Sequence, residues 1–182
     1  IAPTLEEADQ IIAAAERSGT PLLIGHHRRF SAFVLKAREV IQQGAIGELV
    51  GATVIWTLLK PGDYFQAAWR TRRQTGGGIL LINMIHDIDD LRFICQREVT
   101  RVFAETSNRT RGLEVEDTAS VSLRLSGDAL ATILMSDCTP GIWAYELNTA
   151  PWENPFFPYA PEDSYFFFGT KGSFTLPLMR RV

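Results

Sequence analysis

The sequence predicts an α+β chain: a predominantly antiparallel open sheet with helices on one face, preceded by a helix and strand that read as the end of a parallel α/β unit. Two hairpins and a set of helical spacings carry that expectation. Segments 118–125 and 129–136 alternate apolar and polar residues around Gly127-Asp128, the pattern of a half-buried antiparallel pair. Segments 165–168 and 173–176 flank Gly169-Thr170-Lys171-Gly172, a second hairpin. Apolar residues at helical spacing occur earlier, at 5–17, 33–41 and 79–95.

In chain order, Thr4 is placed to cap a first helix, with Glu6 and Glu7 favourable in its first turn and Gly19 as its left-handed stop. Pro21-Leu22-Leu23-Ile24-Gly25 is continuously apolar, the pattern of a strand buried on both faces. Such a strand needs neighbours, and no other βαβ unit is visible. The sequence, which opens on Ile rather than Met, is therefore expected to begin inside a larger domain. Ser31 caps a second helix with Phe33, Val34, Ala37, Val40 and Ile41 on one face, and Gln42-Gln43-Gly44 closes it. A β-rich run from Leu49 ends at the turn Lys60-Pro61-Gly62-Asp63, and a long apolar helix is expected from Ile79 to Cys95. Val99 to Asn108 alternates as a strand. Residues 139–163 are rich in Pro and aromatics and show no period.

Composition excludes several partners. With 46% hydrophobic residues the 182-residue chain can bury a sizeable core. A net charge of -3, with Arg and Lys scattered, gives no footprint for nucleic acid. No apolar run is long enough to span a membrane, and no signal-peptide pattern is present. Cys95 and Cys138 lie outside any metal-ligand spacing and read as small buried hydrophobes, which fits a reducing cytoplasm.

The residues that could carry chemistry fall in three places. Gly76-Gly77-Gly78 precedes the apolar helix, where glycines permit close backbone approach and a helix start offers amide donors. On that helix Asn83 and His86 are three apart, a spacing that puts both on one face, and Asp90 follows a turn later. His86 is a candidate acid/base because imidazole titrates near working pH; the plainer alternative is a satisfied core histidine. His26 and His27, backed by Arg28 and Arg29, stand at the carboxyl end of the apolar run, where sites gather in α/β sheets; a polar loop is the alternative. Nothing in the His and Asp spacing matches a metal-ligand motif, so no metal is expected. In Trp69-Arg70 an indole could lie on a planar cofactor ring and a guanidinium could hold phosphate or carboxylate, or the indole could simply plug the core.

Taken in order, Gly25-His26 to Arg29-Phe30, Gly44-Ala45-Ile46-Gly47, Tyr64-Phe65, Trp69-Arg70, the glycine triplet, His86-Asp87-Ile88-Asp89, Glu116-Asp117-Thr118-Ala119 and Gly169 to Gly172 resemble the glucose–fructose oxidoreductase/inositol dehydrogenase/MocA-like family. The resemblance covers essentially the whole chain. It implies an N-terminal Rossmann domain for NAD or NADP, a Glu-Lys-Pro junction, and a C-terminal α+β domain whose open sheet mediates dimerisation. Residues 1–25 would then be the remnant of the dinucleotide-binding domain and 26–182 the substrate and dimerisation domain. The Gly-rich loop and the junction Lys would both precede Ile1, and Lys60-Pro61, without a preceding Glu, is no substitute.

Carried over by that resemblance, His86 is the acid/base; Gly25, Trp69 and Arg70 are cofactor contacts; Asn83, His27 and Arg29 lie on the substrate side. One position departs from the family pattern. Many members carry Asp four residues before the His, and here Ile82 stands there with Asn83 beside it. The orienting role of that Asp either passes to Asn83 or is lost. The implied function is the C-terminal part of an NAD(P)-dependent oxidoreductase acting on a sugar, polyol or related hydroxy/carbonyl compound, inactive as this chain alone. The alternative is a non-catalytic binding or assembly module of the same fold. A homodimer is expected because segments 54–59 and 129–135 are apolar on both alternations.

Overall fold

The computed structural model describes residues 2–182. Helix α1 (Leu5–Ser18) has the ends its sequence predicts: the Thr4 hydroxyl accepts from the Glu7 amide, and Gly19 closes the helix in the left-handed region at φ 64°. None of its residues is buried. The strand predicted at 21–25 does not form: these residues pair with no strand, and Leu23 is 90% exposed. A continuous apolar run signals burial against something, but strand pairing needs a neighbouring strand, and the described residues place none there.

From residue 26 onward the chain builds one layered unit. Its helices are α2 (Ala32–Gln42) and α3 (Ile85–Cys95), with the short α4 (Tyr145–Asn148) and α5 (Ala150–Glu153) inside the aperiodic stretch. Its strands are β1 (Leu49–Thr57), β2 (Val99–Ser107), β3 (Thr118–Leu125), β4 (Leu130–Ser136), β5 (Tyr165–Gly169) and β6 (Gly172–Leu176). They form one sheet in the order β2-β3-β4-β1-β5-β6. Four of its pairings are antiparallel, and the central one, β1 with β4, is parallel. The β3–β4 turn has positive φ at both Gly127 (78°) and Asp128 (65°), the conformation a two-residue hairpin favours because its twist matches the strands.

Period-two alternation divides the sheet into two unlike faces. Val54, Trp56, Val121, Leu123, Ile133, Met135 and Phe167 are buried, packed with Val34 and Ala37 of α2 and Leu91 and Ile94 of α3 in one core. On the opposite face Thr53 and Thr132 share a 3.1 Å hydrogen bond, and Phe103, Leu134 and Phe168 stand exposed around them.

The helix layer is fixed to the sheet by a buried ion network. Arg28, in the 3-10 turn His27–Phe30, is 3% exposed. Its Nη1 donates to Asp87 Oδ1 (2.9 Å) and Asp90 Oδ2 (3.3 Å) on α3 and to the Tyr165 hydroxyl (3.2 Å) on β5. Its Nη2 donates to Glu146 Oε1 on α4 at 2.7 Å, and the other Glu146 oxygen accepts from Trp56 Nε1 of β1 at 2.8 Å. Three carboxylates thus surround one guanidinium. Burial pushes Asp90 up to about 7, with Arg28 opposing the rise. Burial would raise Glu146 as well, but Arg28 and hydrogen bonds from its backbone and Trp56 hold it below the usual range. Removing the cation leaves these carboxylates facing one another without compensation. We expect Arg28→Met to cost about 3–5 kcal/mol in a urea unfolding titration. A loss of about 1 kcal/mol or less would contradict the arrangement.

Candidate active site

The long apolar helix is not uniform. Residues Leu80–Met84 form a π-turn that leads into α3. A π-turn holds more residues per turn than an α-helix, so it breaks the three- and four-residue spacing on which face assignments rest. Leu81, Ile82 and Ile85 line a cleft of about 740 Å³ together with His86. The opposite wall comes from α1 and the segment after it, including Ile11, Ile12, Leu22 and Ile24, with Gly25, His26, Trp69 and Gly76 also in the lining. Among the described residues no Arg, Lys, Asp or Glu lines this cleft.

Gly76 lines the cleft, while Gly77 and Gly78 serve the chain itself. A side chain on Gly77 would meet the Arg70 carbonyl at 2.5 Å, and one on Gly78, at φ 91°, would strike the Glu116 carboxylate. Glu116 Oε1 accepts from the Leu80 amide at 3.0 Å. The amide donors expected to face a ligand are therefore partly capped by Glu116, which also anchors the start of the π-turn.

His86 is half-buried, and its Nδ1 is buried without a hydrogen-bond partner. It is not a satisfied core histidine. All 3 histidines of the chain converge here: the His27 ring stands edge-on to His86 with centroids 5.3 Å apart, and the His26 ring at 6.2 Å. Burial, then the positive Arg28 and His27, push His86 down to about 4. His26 Nδ1 lies 3.4 Å from Asp89 Oδ2. Asp89 is gripped by Arg29 through Nε (2.8 Å) and Nη2, so Arg29 is committed to a side chain on α3.

Of the residues singled out in the sequence, Gly25, His26, Trp69, Gly76 and His86 meet in one cleft, and His27 touches it through His86. Asn83 and Arg70 turn elsewhere. Asn83 Oδ1 accepts from Lys60 Nζ and makes no hydrogen bond to His86, because the π-turn rotates the two off a common face. Arg70 folds inward: its Nη1 donates to the Tyr64 carbonyl at 2.7 Å, and its guanidinium lies 3.9 Å from the Tyr64 ring centroid. Asp87 and Asp90 belong to the Arg28 network.

Sequence reasoning missed Lys60 and Glu116. Lys60 is only 8% exposed, packs over the Tyr64 ring at 4.5 Å, and is pushed down to about 8 by burial. A lysine in a Lys-Pro-Gly turn carries no sign that it will be buried. Glu116 is 36 residues from Leu80, beyond the reach of any local capping pattern. Among the described residues no three His, Cys, Asp or Glu side chains are placed to hold a metal ion.

The low position of His86 can be measured. Its folded value, about 4, lies below the ordinary 6.5, so the native state prefers the neutral ring. The stability this contributes is present above pH 6.5 and is lost as pH falls through 4. Histidine NMR should give His86 a midpoint near 4; a midpoint at or above 6.5 would contradict the buried, cation-flanked setting.

The chain is 32% identical over 133 residues to 1,5-anhydro-D-fructose reductase of Ensifer adhaerens, covering 72% of this chain and 39% of that protein. It is 32% identical over 135 residues to myo-inositol 2-dehydrogenase of Thermotoga maritima, covering 71% and 38%. It thus spans about two fifths of the length of these curated relatives. Among solved structures, the WlbA dehydrogenase from Bordetella pertussis, in complex with NADH and UDP-GlcNAcA, shares the fold at a TM-score of 0.77 and 24% identity. The match covers 96% of this chain and 49% of that one. Residues 34–175 match the GFO/IDH/MocA C-terminal domain, and the chain belongs to that family.

Proposed function

We propose that this chain is the substrate-side part of an NAD(P)-dependent oxidoreductase that moves hydride to or from a sugar, polyol or related hydroxy/carbonyl compound, with His86 as its acid/base. One observation carries the reading: a half-buried imidazole with an unpartnered Nδ1 opens onto a cleft shared with Gly25 and Trp69. At neutral pH the ring is uncharged, the form that accepts a hydroxyl proton. A cleft without charged side chains suits a neutral polyhydroxyl compound. The relatives named as reductase and dehydrogenase, of 1,5-anhydro-D-fructose and myo-inositol, support the same class.

The nicotinamide dinucleotide, when bound, supplies the hydride acceptor or donor. Its flat ring fits beside Trp69, 46% exposed, and against Gly25, which has no neighbour within 4 Å of a would-be Cβ. Its phosphates do not fit this lining, which offers no cation. They would be held by residues outside this chain, in a dinucleotide-binding domain to which residues 1–25 also belong. The outer face of the unburied α1 and the exposed Leu23, which lies outside the cleft lining, would pack against it. In this reading 26–182 is the substrate domain; His27 touches His86, Arg29 holds Asp89, Asn83 and Lys60 hold the π-turn, and Arg70, 5.2 Å from the Trp69 ring, steadies the indole. NAD and NADP are equally compatible with these residues. Two free cysteines, one of them buried, favour a reducing, cytoplasmic setting.

In the full-length oxidoreductase, assayed with NAD(P)+ against neutral sugars and polyols, His86→Ala should lower kcat/KM by about 10²–10⁴-fold. The 182-residue chain alone should show no turnover. A His86→Ala enzyme within a few-fold of the parent, or turnover by the chain alone, would overturn the proposal. A second reading, a non-catalytic module of the same fold, draws on Ile82: it lines the cleft where the resemblance expects a carboxylate. Silence across all substrates, with no cofactor binding, would favour it.

The open sheet face is proposed as a homodimer interface, since Phe103 (66% exposed), Leu134 and Phe168 lie on a face without helices. Light scattering should give about twice the 20.3 kDa of one chain. A monomer mass at moderate concentration would count against it.

A further inference from the structure

Oxidation of a hydroxyl compound releases a proton on every turnover, and that proton must leave a cleft whose lining offers no carboxylate to take it. Among the described residues the titratable side chains in the lining are His26 and His86. His86 reaches the cleft, while His27 stands edge-on behind it, outside the lining and exposed to solvent. Among the described residues no direct hydrogen bond joins the two rings, and a centroid separation of 5.3 Å is a span that one water bridges. His26 is a poorer outlet, because it lines the same cleft and its ring lies farther from His86, at 6.2 Å against 5.3 Å for His27.

We infer that His27 is the proton exit of this site: it takes from His86 the proton that the substrate gives up and hands it to solvent. The inference rests on His86 acting as the acid/base. In the oxidative direction the substrate C–H bond would break with its hydrogen leaving together with the electron pair as hydride, which a bound oxidised nicotinamide would accept. The O–H bond breaks, its proton bonds to one nitrogen of His86, and the C=O bond completes. The proton on the other His86 nitrogen then moves to His27, and from there to water or a buffer base. The nicotinamide dinucleotide is the only oxidant required. The permanently charged groups around His86 act on this path from two elements: Arg28, beside His27 in the same turn, and Glu146 from α4. Arg28, which disfavours a proton on His86, favours its passage to the exposed, neutral His27 ring.

The test uses the full-length oxidoreductase in dilute, non-imidazole buffer. His27→Ala should lower kcat about 10–100-fold, at or below the usual worth of a proton-transfer group, and leave KM little changed. Added imidazole should restore kcat in His27→Ala and not in His86→Ala, a rescue that a merely structural role would not show. Wild-type kcat in His27→Ala, or a fall that imidazole does not rescue, overturns the inference while leaving His86 in place. An active His86→Ala enzyme overturns the underlying function and the inference with it. Independently of turnover, NMR should show the His86 midpoint rising from about 4 in His27→Gln, because His27 is one of the groups that hold it low. An unmoved midpoint means the rings do not communicate and overturns the relay.

Discussion

Arg28 places a full positive charge in the interior, and that charge is tolerable only because Asp87, Asp90, Glu146 and Tyr165 converge on it. The convergence is also what assembles the site. Arg28 pairs with Asp87, so the residues just before each of them, His27 and His86, are carried to the same place. Arg29 pairs with Asp89, and the two contacts together fix the rotation of the 3-10 turn on α3. Glu146 extends the network to Trp56 of β1, tying the site to the sheet.

The π-turn solves a second positional problem. At 80–84 it presents apolar residues to the cleft and sends Asn83 toward Lys60. Glu116 holds its amide end and Lys60 holds its middle, so an irregular turn is fixed at two points by side chains from distant segments. Gly77 and Gly78 allow the chain to pass the Arg70 carbonyl and the Glu116 carboxylate at the distances this requires.

Much of the fold was legible because local patterns and tertiary structure agree. The caps at Thr4, Gly19 and Ser31, the alternation of β3 and the Gly127-Asp128 turn each depend on neighbours a few residues away. The parallel β1–β4 pair was not legible, since pairing of segments this far apart leaves no local trace. The strand expected at 21–25 failed for the complementary reason: its apolar run is real, but the described residues supply no strand beside it. His86 could be singled out, and its two imidazole neighbours were visible as a separate cluster, yet their meeting depends on the Arg28–Asp87 pair. In the sequence Arg28-Arg29 looks like a solvated loop and Asp87, Asp89 and Asp90 like helix solvation. The spacing that put Asn83 with His86 assumed a regular helix, and one irregular turn undoes it.

The account assigns the cleft at His86 to the reacting end of a nicotinamide dinucleotide and places its phosphates elsewhere. A crystal structure of the full-length oxidoreductase with bound dinucleotide tests this most directly. The account predicts the nicotinamide ring in the cleft between Gly25 and Trp69 with its reactive face toward His86, and the phosphates outside the residues that line it. A ring bound away from His86, or phosphates held by Arg28, Arg29 or Arg70, would contradict it.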